Sequence, residues 1–188
     1  MPTPARTSLE AIVLAGRNIV ESEGLDGLTM QRVADAVGVK APSLYKRVRN
    51  RHDLIRLVVE DVARDLTETL DGAATTGDPK RDLRAMADAL RSFAHAQPSA
   101  YALLFAQLPE QSRPDQRLLA GTAAAILRVA SVLAGPDRAL EAARTVVAWA
   151  QGFISMELAG AFRLGGDVDR AYAFGVEALS DALERHPR

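Results

Sequence analysis

Cationic side chains crowd the stretch from Lys40 to Arg56. Lys40, Lys46, Arg47, Arg49, Arg51 and Arg56 stand against Asp53 alone, a local net charge of +5. The whole chain carries −1, so everything outside this stretch sums to −6. A basic spot on an acidic body pairs with phosphates locally while the remainder stays away from them. The residues just before and within the spot give it a shape. Thr29 is suited to cap a helix, accepting a backbone N–H bond. Met30, Val33, Ala34 and Val37 then recur at helical spacing. Gly38 ends that helix, because glycine adopts positive φ at no steric cost. Pro42 fits the first turn of a second, short helix, where its missing N–H is not needed. Leu44 and Val48 bury one side of it, and Ser43, Tyr45, Lys46 and Arg47 face outward. A short helix that presents small, hydroxyl and cationic groups suits a DNA major groove.

Composition excludes several other classes. With 48% hydrophobic residues in 188, the chain can bury a sizeable core as one domain or two small ones. Alanine and leucine abound and β-branched runs are scarce, so the chain is expected to be all-α. It has no cysteine, which removes disulfides and thiolate metal sites. The N-terminal Met-Pro-Thr-Pro-Ala-Arg-Thr lacks an apolar signal core, and no run approaches 18 uninterrupted apolar residues. A cytoplasmic protein with no membrane partner is expected. His52, His95 and His186 are too scattered for a metal site, and no nucleophile motif or glycine-rich phosphate loop occurs. Neither cofactor, metal nor catalytic residue is expected, and the chain is read as no enzyme.

About nine helices must position these residues. The first is predicted from Ser8 to Ser22, with a turn over 23–28. The helix-turn-helix comes next. Asn50 then caps a long helix whose inner face is Leu54, Val58, Val62, Leu66 and Leu70. A helix of about 20 residues spans about 30 Å and can join the DNA-reading unit to the rest of the chain. The clearest break is Gly72 to Pro79. Beyond it come a helix with Leu83, Met86, Ala87, Leu90 and Phe93 inward, and a short one opened by Pro98. A third covers about 115–133, a fourth about 137–162, and a last one, capped by Asp167, runs to about Glu184. The final two offer broad apolar faces: Val146, Val147, Ala150, Phe153, Ile154, Leu158 and Ala161, then Ala171, Phe174, Ala178, Leu179 and Ala182. Small residues let helices approach closely, and a palindromic DNA site calls for a two-fold dimer. Residues 1–50 are taken as a helix-turn-helix DNA-binding domain, and 51–188 as a bundle for ligand binding and dimerisation.

Gly27-Leu28-Thr29, Val33-Ala34, Gly38-Val39, Ser43-Leu44-Tyr45 and Asn50-Arg51-x-x-Leu54 together resemble the TetR family of bacterial transcriptional repressors over the first 60 or so residues. The later part is less closely similar to TetR ligand domains with a Trp-His-Gly signature. Here that region reads Val146-Val-Ala-Trp-Ala-Gln-Gly-Phe-Ile-Ser-Met-Glu157, with Gln151 in the His place. The resemblance implies an all-helical homodimer that leaves double-stranded DNA when a small molecule binds. It places Gln31, Ala41, Pro42, Ser43 and Lys46 at base edges, and Thr29, Tyr45, Arg47 and Arg51 on phosphates. Lys40 belongs to the same basic surface.

An effector cavity, mostly apolar as ligand sites are, would be lined by Met86, Phe93, Tyr101, Phe105, Trp149, Gln151, Phe153 and Met156. The competing reading for each is plain core. Gln151 either orients a ligand or bonds a neighbour, and Glu157 is expected to pair with Arg163 or Arg128. The function expected is a ligand-released repressor. The alternatives are a hydrophobic-pocket enzyme, or an architectural DNA-binding protein that would leave the residues after Pro79 without a task.

Overall fold

The computed structural model describes residues 8–184, so the N-terminal heptapeptide and His186 lie outside the described residues. Among the described residues every regular element is helical. α1 is Leu9–Gly27, α2 Met30–Val37, α3 Ala41–Leu44, α4 Arg51–Ala73, α5 Pro79–Ala96, α6 Pro98–Leu103, α7 Gln116–Ala134, α8 Ala139–Leu158 and α9 Val168–Glu184. The all-α expectation is met, and the starts of α4, α5 and α9 show why. Asn50 Oδ1 accepts the Asp53 N–H at 3.0 Å, Asp78 Oδ1 accepts from Lys80, and Asp167 Oδ1 accepts from Arg170. Each satisfies an N–H that the first helical turn leaves orphaned.

Three bounds differ from the sequence reading. α8 stops at Leu158, short of the expected 162, so Ala161 lies in the loop that follows. α1 runs on to Gly27 across a kink at Gly24, whose φ of +74° carries the chain through the predicted turn. α3 is one turn only; Tyr45, Lys46 and Arg47 lie on the turn just after it.

The chain folds as two compact units, and it is not cut once. Residues up to 64 belong with 97–119, and residues 65–96 belong with 120 onward. The first unit buries Ile12, Val20, Leu28, Val33, Leu44, Val48, Leu54 and Val58. Gly16 lets α1 lie against α4: a Cβ there would sit 3.0 Å from Val58. α6 is clamped onto α1. Glu21 accepts the Ser99 and Ala100 N–H groups that open α6, and the buried Arg17 donates to Gln97 Oε1 at 2.7 Å and to Asp61 at 3.0 Å.

The second unit packs α5, α8 and α9 around Leu83, Met86, Phe93, Val146, Ile154, Tyr172 and Val176. Tyr172 donates its hydroxyl to the Ala87 carbonyl at 2.7 Å. α9 meets α8 where Trp149 covers Gly175; a Cβ on Gly175 would run into the indole. Gly175→Ala is therefore expected to cost about 1–3 kcal/mol as overpacking, read as a lower denaturant midpoint at unchanged m-value. α7 is long and apolar enough to cross a membrane by length and composition. It buries Ile126, Val129 and Leu133, and its Arg128 pairs with Asp71.

Candidate functional site

The helix-turn-helix is built as its residues require. Thr29 Oγ1 accepts the Arg32 N–H at 3.2 Å and caps α2. Gly38, at φ +72° and ψ 37°, turns the chain left-handed, and the Val39 N–H returns to the Ala34 carbonyl at 2.9 Å. Pro42 sits in the first turn of α3, and Leu44 and Val48 are fully buried beneath it. Ala41 and Ser43 are half-buried; Gln31, Lys40, Pro42, Tyr45, Lys46 and Arg47 are exposed.

The six cations of the basic stretch divide by what holds them. Asp53 is buried and takes four bonds from two of them: its carboxylate accepts from the Arg49 N–H at 3.0 Å, twice from the Arg49 guanidinium, and from Arg56 at 2.7 Å. Burial opposes its charge, yet these donors outweigh burial and hold its carboxyl far below the usual range. Arg56 also pairs with Glu60. Arg51 is turned inward: Nε donates to the Leu28 carbonyl and a terminal nitrogen to the Leu25 carbonyl, both at 2.7 Å. It ties the end of α1 to the start of α4. Lys40, Lys46 and Arg47 make no hydrogen bond or ion pair through their side chains among the described residues. Gln31 Nε2 donates to Asp35 at 2.8 Å in the unbound chain, and the Thr29 hydroxyl is engaged in its cap.

The eight candidate effector residues are divided between the two units. Tyr101 and Phe105 belong to the first unit, their rings edge-on at 5.3 Å. Tyr101 is buried, which pushes its phenol up to about 12, while Phe105 is about half exposed. The other six lie in the second unit. Met86 and Phe93 are core, and Met156 is 48% exposed. Trp149 and Phe153 are brought together at 5.6 Å, each against Tyr172, and Phe153 also meets Phe162. Gln151 is half-buried and donates to Ser155 Oγ at 3.1 Å.

Beside this aromatic group an open groove of about 590 Å³ is lined by Arg91, Ser92, His95, Glu157, Asp169 and Asp88. Glu157 pairs with Arg91 and, at 3.1 Å, with His95; Arg163 and Arg128 are not its partners. Arg91 further reaches Asp169 at 2.6 Å and lies over the Tyr172 ring, 5.0 Å from its centroid. Among the described residues no cluster of three or more His, Asp or Glu is placed to hold a metal ion.

Residues 7–58 match the family described as bacterial regulatory proteins, tetR family, and residues 83–179 match the tetracyclin repressor-like C-terminal domain. An HTH-type transcriptional regulator of Mycobacterium tuberculosis is 32% identical over 97% of this chain and 84% of its own length. The chain belongs to the TetR family. It is a TetR-family transcriptional regulator, with a helix-turn-helix head and a tetracyclin repressor-like C-terminal region.

Solved structures share its fold. A Rhodococcus protein superposes with a TM-score of 0.82 at 20% identity over 97% of each chain. TetR of Acinetobacter baumannii in complex with minocycline gives 0.69 at 22%, over 95% of this chain and 97% of that one. Sequence reasoning missed the Arg91–Glu157–Tyr172 group in this TetR chain. Its members lie 66 and 15 positions apart on three helices, and no local spacing marks them. The inward role of Arg51 was missed for a similar reason, since its acceptors precede it by 23 and 26 residues.

Proposed function

We propose that this TetR-family chain is a cytoplasmic repressor that binds a palindromic operator as a homodimer and leaves it when a small, largely apolar molecule binds beyond residue 50. One observation carries the DNA reading. Lys40 and Lys46 keep their charge unspent, and Arg47 has only the Glu10 carboxylate in electrostatic reach among the described residues, around a one-turn helix that comes after a left-handed Gly38, with Gln31 and Ser43 alongside. These three cations, with Tyr45, hold phosphates; Gln31, Ala41, Pro42 and Ser43 meet base edges, and Gln31 exchanges Asp35 for a base on binding. Arg51 and Thr29 act by holding the head in shape.

The effector reading is supported by the A. baumannii relative's complex with minocycline and by the aromatic group around Trp149 and Phe153. The dimer reading is supported by the exposed apolar positions Val147 on α8 and Phe174 on α9, the latter 73% exposed.

The test is retardation of DNA from the chain's own promoter region, titrated against salt. Lys46→Ala should weaken all sequences alike and lower the salt slope by about 1.8, about 0.9 for each half-site. Gln31→Ala should instead change preference at one base pair per half-site by about 1–3 kcal/mol. No selective retardation, or a Lys46→Ala slope equal to the parent's, would overturn the assignment. For the effector, a thermal-shift hit is titrated with and without operator. DNA must weaken the ligand by the factor by which the ligand weakens DNA, about 5–150-fold. Equal ligand affinity in both titrations would rule that compound out as an effector.

A further inference from the structure

The loop between α8 and α9 carries an apolar tip, Leu164, that none of the described residues covers, next to Phe162, which rests partly on Phe153. Leu164 is fully exposed, and Phe162 is 39% exposed. Gly160, Gly165 and Gly166, all at positive φ, shape the loop. At the far end of the same helix pair lies an apolar groove of about 170 Å³. Ala134, Ala142, Leu179, Ala182 and Leu183 line it, and Arg138 and Glu141 stand at its rim. We infer that these two features meet across the two-fold: Leu164 of one protomer enters the groove of a second copy.

This inference rests on the dimer reading above, and the register of α8 and α9 carries it further. Trp149 on Gly175 sets these two residues at one level along the antiparallel pair. The exposed positions Val147, Ala148, Gly152, Phe174 and Ala178 centre on that level. A two-fold axis there reverses the helix direction in the partner. Leu158, where α8 ends, lies nine residues past Trp149, or about 14 Å. The axis carries it to the partner's level nine residues before Trp149, which is the level of Leu140. Arg138 and Ala142 flank that position, at the mouth of the groove.

Charge agrees with this register. The loop brings Arg163, with no acidic partner among the described residues, and the carboxylate of Asp167. The rim offers Glu141 and Arg138, which make no ion pair among the described residues. Each protomer supplies both signs, as a self-complementary interface requires.

The chain contains no cysteine, so the contact can be read by cross-linking the full-length protein. Leu164→Cys and Ala182→Cys both fall outside the buried core, so neither disturbs it. Within one chain they sit at opposite ends of α9, about 20 Å or more apart, beyond a short bismaleimide. The double variant is treated with that reagent and run on a denaturing gel beside each single variant. Sedimentation equilibrium is measured in parallel. Cross-linked dimer is expected in the double variant and in neither single one, and Leu164→Asp should weaken the dimer about tenfold or more. A dimer by sedimentation that gives no cross-link overturns the docking and leaves the dimer reading intact. So does cross-linking by Leu164→Cys alone, which would put loop against loop. A monomer at micromolar concentration overturns the dimer reading and this inference together.

Discussion

Arg51→Ala is expected to destabilise the DNA-reading unit by about 2–4 kcal/mol while leaving the salt slope of DNA binding where it was. The guanidinium makes two hydrogen bonds of 2.7 Å to the Leu25 and Leu28 carbonyls. Bonds to a charged group contribute about 1.5–3 kcal/mol each, and partial exposure here reduces the sum. Both acceptors lie at the end of α1, where carbonyls lack the i+4 N–H of the helix interior; Leu25 also accepts the Leu28 N–H, and Leu28 is the cap residue. The loss therefore falls on the joint between α1 and α4, and a phosphate is not involved. Denaturant unfolding and a salt titration of operator binding check the two halves separately. Lys46→Ala should give the opposite pattern, with the slope reduced and stability unchanged. If Arg51→Ala lowered the slope by about 1.8 at unchanged stability, Arg51 would be a phosphate contact in each protomer and the inward geometry would not persist on DNA. Arg51→Lys separates the cases further, since one ammonium keeps the charge but cannot span two carbonyls as the planar fork does.

The second large effect is expected at Glu157. Arg91 bonds its carboxylate, burial opposes the charge, and His95 adds a further bond; together they take its carboxyl from 4.5 down to about 2. A depressed folded-state value contributes stability that is complete above the unfolded value and lost as pH falls through the folded one. The contribution is thus whole above about pH 4.5 and fades towards pH 2. Glu157→Gln should cost about 2–3 kcal/mol near neutral pH, allowing for solvent screening. The gap to the parent should narrow as pH is lowered from about 5 to about 3. Urea midpoints at three pH values decide it. A gap that stays constant with pH would mean that Glu157 contributes by packing and not by its charge.

What the sequence made legible was what lies close along the chain. The Thr29 cap, the Gly38 turn and the buried pair Leu44 and Val48 are set by neighbours within five residues, and all stand as their spacing predicts. The caps at Asn50, Asp78 and Asp167 are equally local. Legibility ended where a role depends on a distant partner. That α6 packs on α1, so that Tyr101 and Phe105 belong to the unit of the helix-turn-helix, depends on contacts about 80 residues apart that no local spacing announces. Charge alone matches Glu157 to other arginines; its actual partner is fixed by the packing of α5 against α8. The kink in α1 reads as a turn because Gly24 signals a break, yet it interrupts only one residue's dihedrals and the helix resumes to Gly27.

The clamp between α6 and α1 has a bearing on how the molecule can be taken apart. The head is completed by a segment that returns to it after a 32-residue excursion into the other unit. A fragment ending at Arg64 would keep the whole helix-turn-helix motif yet lose Gln97 from Arg17, and from Glu21 the amides that it receives. Limited digestion in the exposed 74–78 stretch therefore cannot release a working reading head by a single nick. The pieces should stay associated until denaturant separates them, and gene truncations that trim the chain to its recognisable motif should yield aggregates instead of a miniature DNA-binding protein.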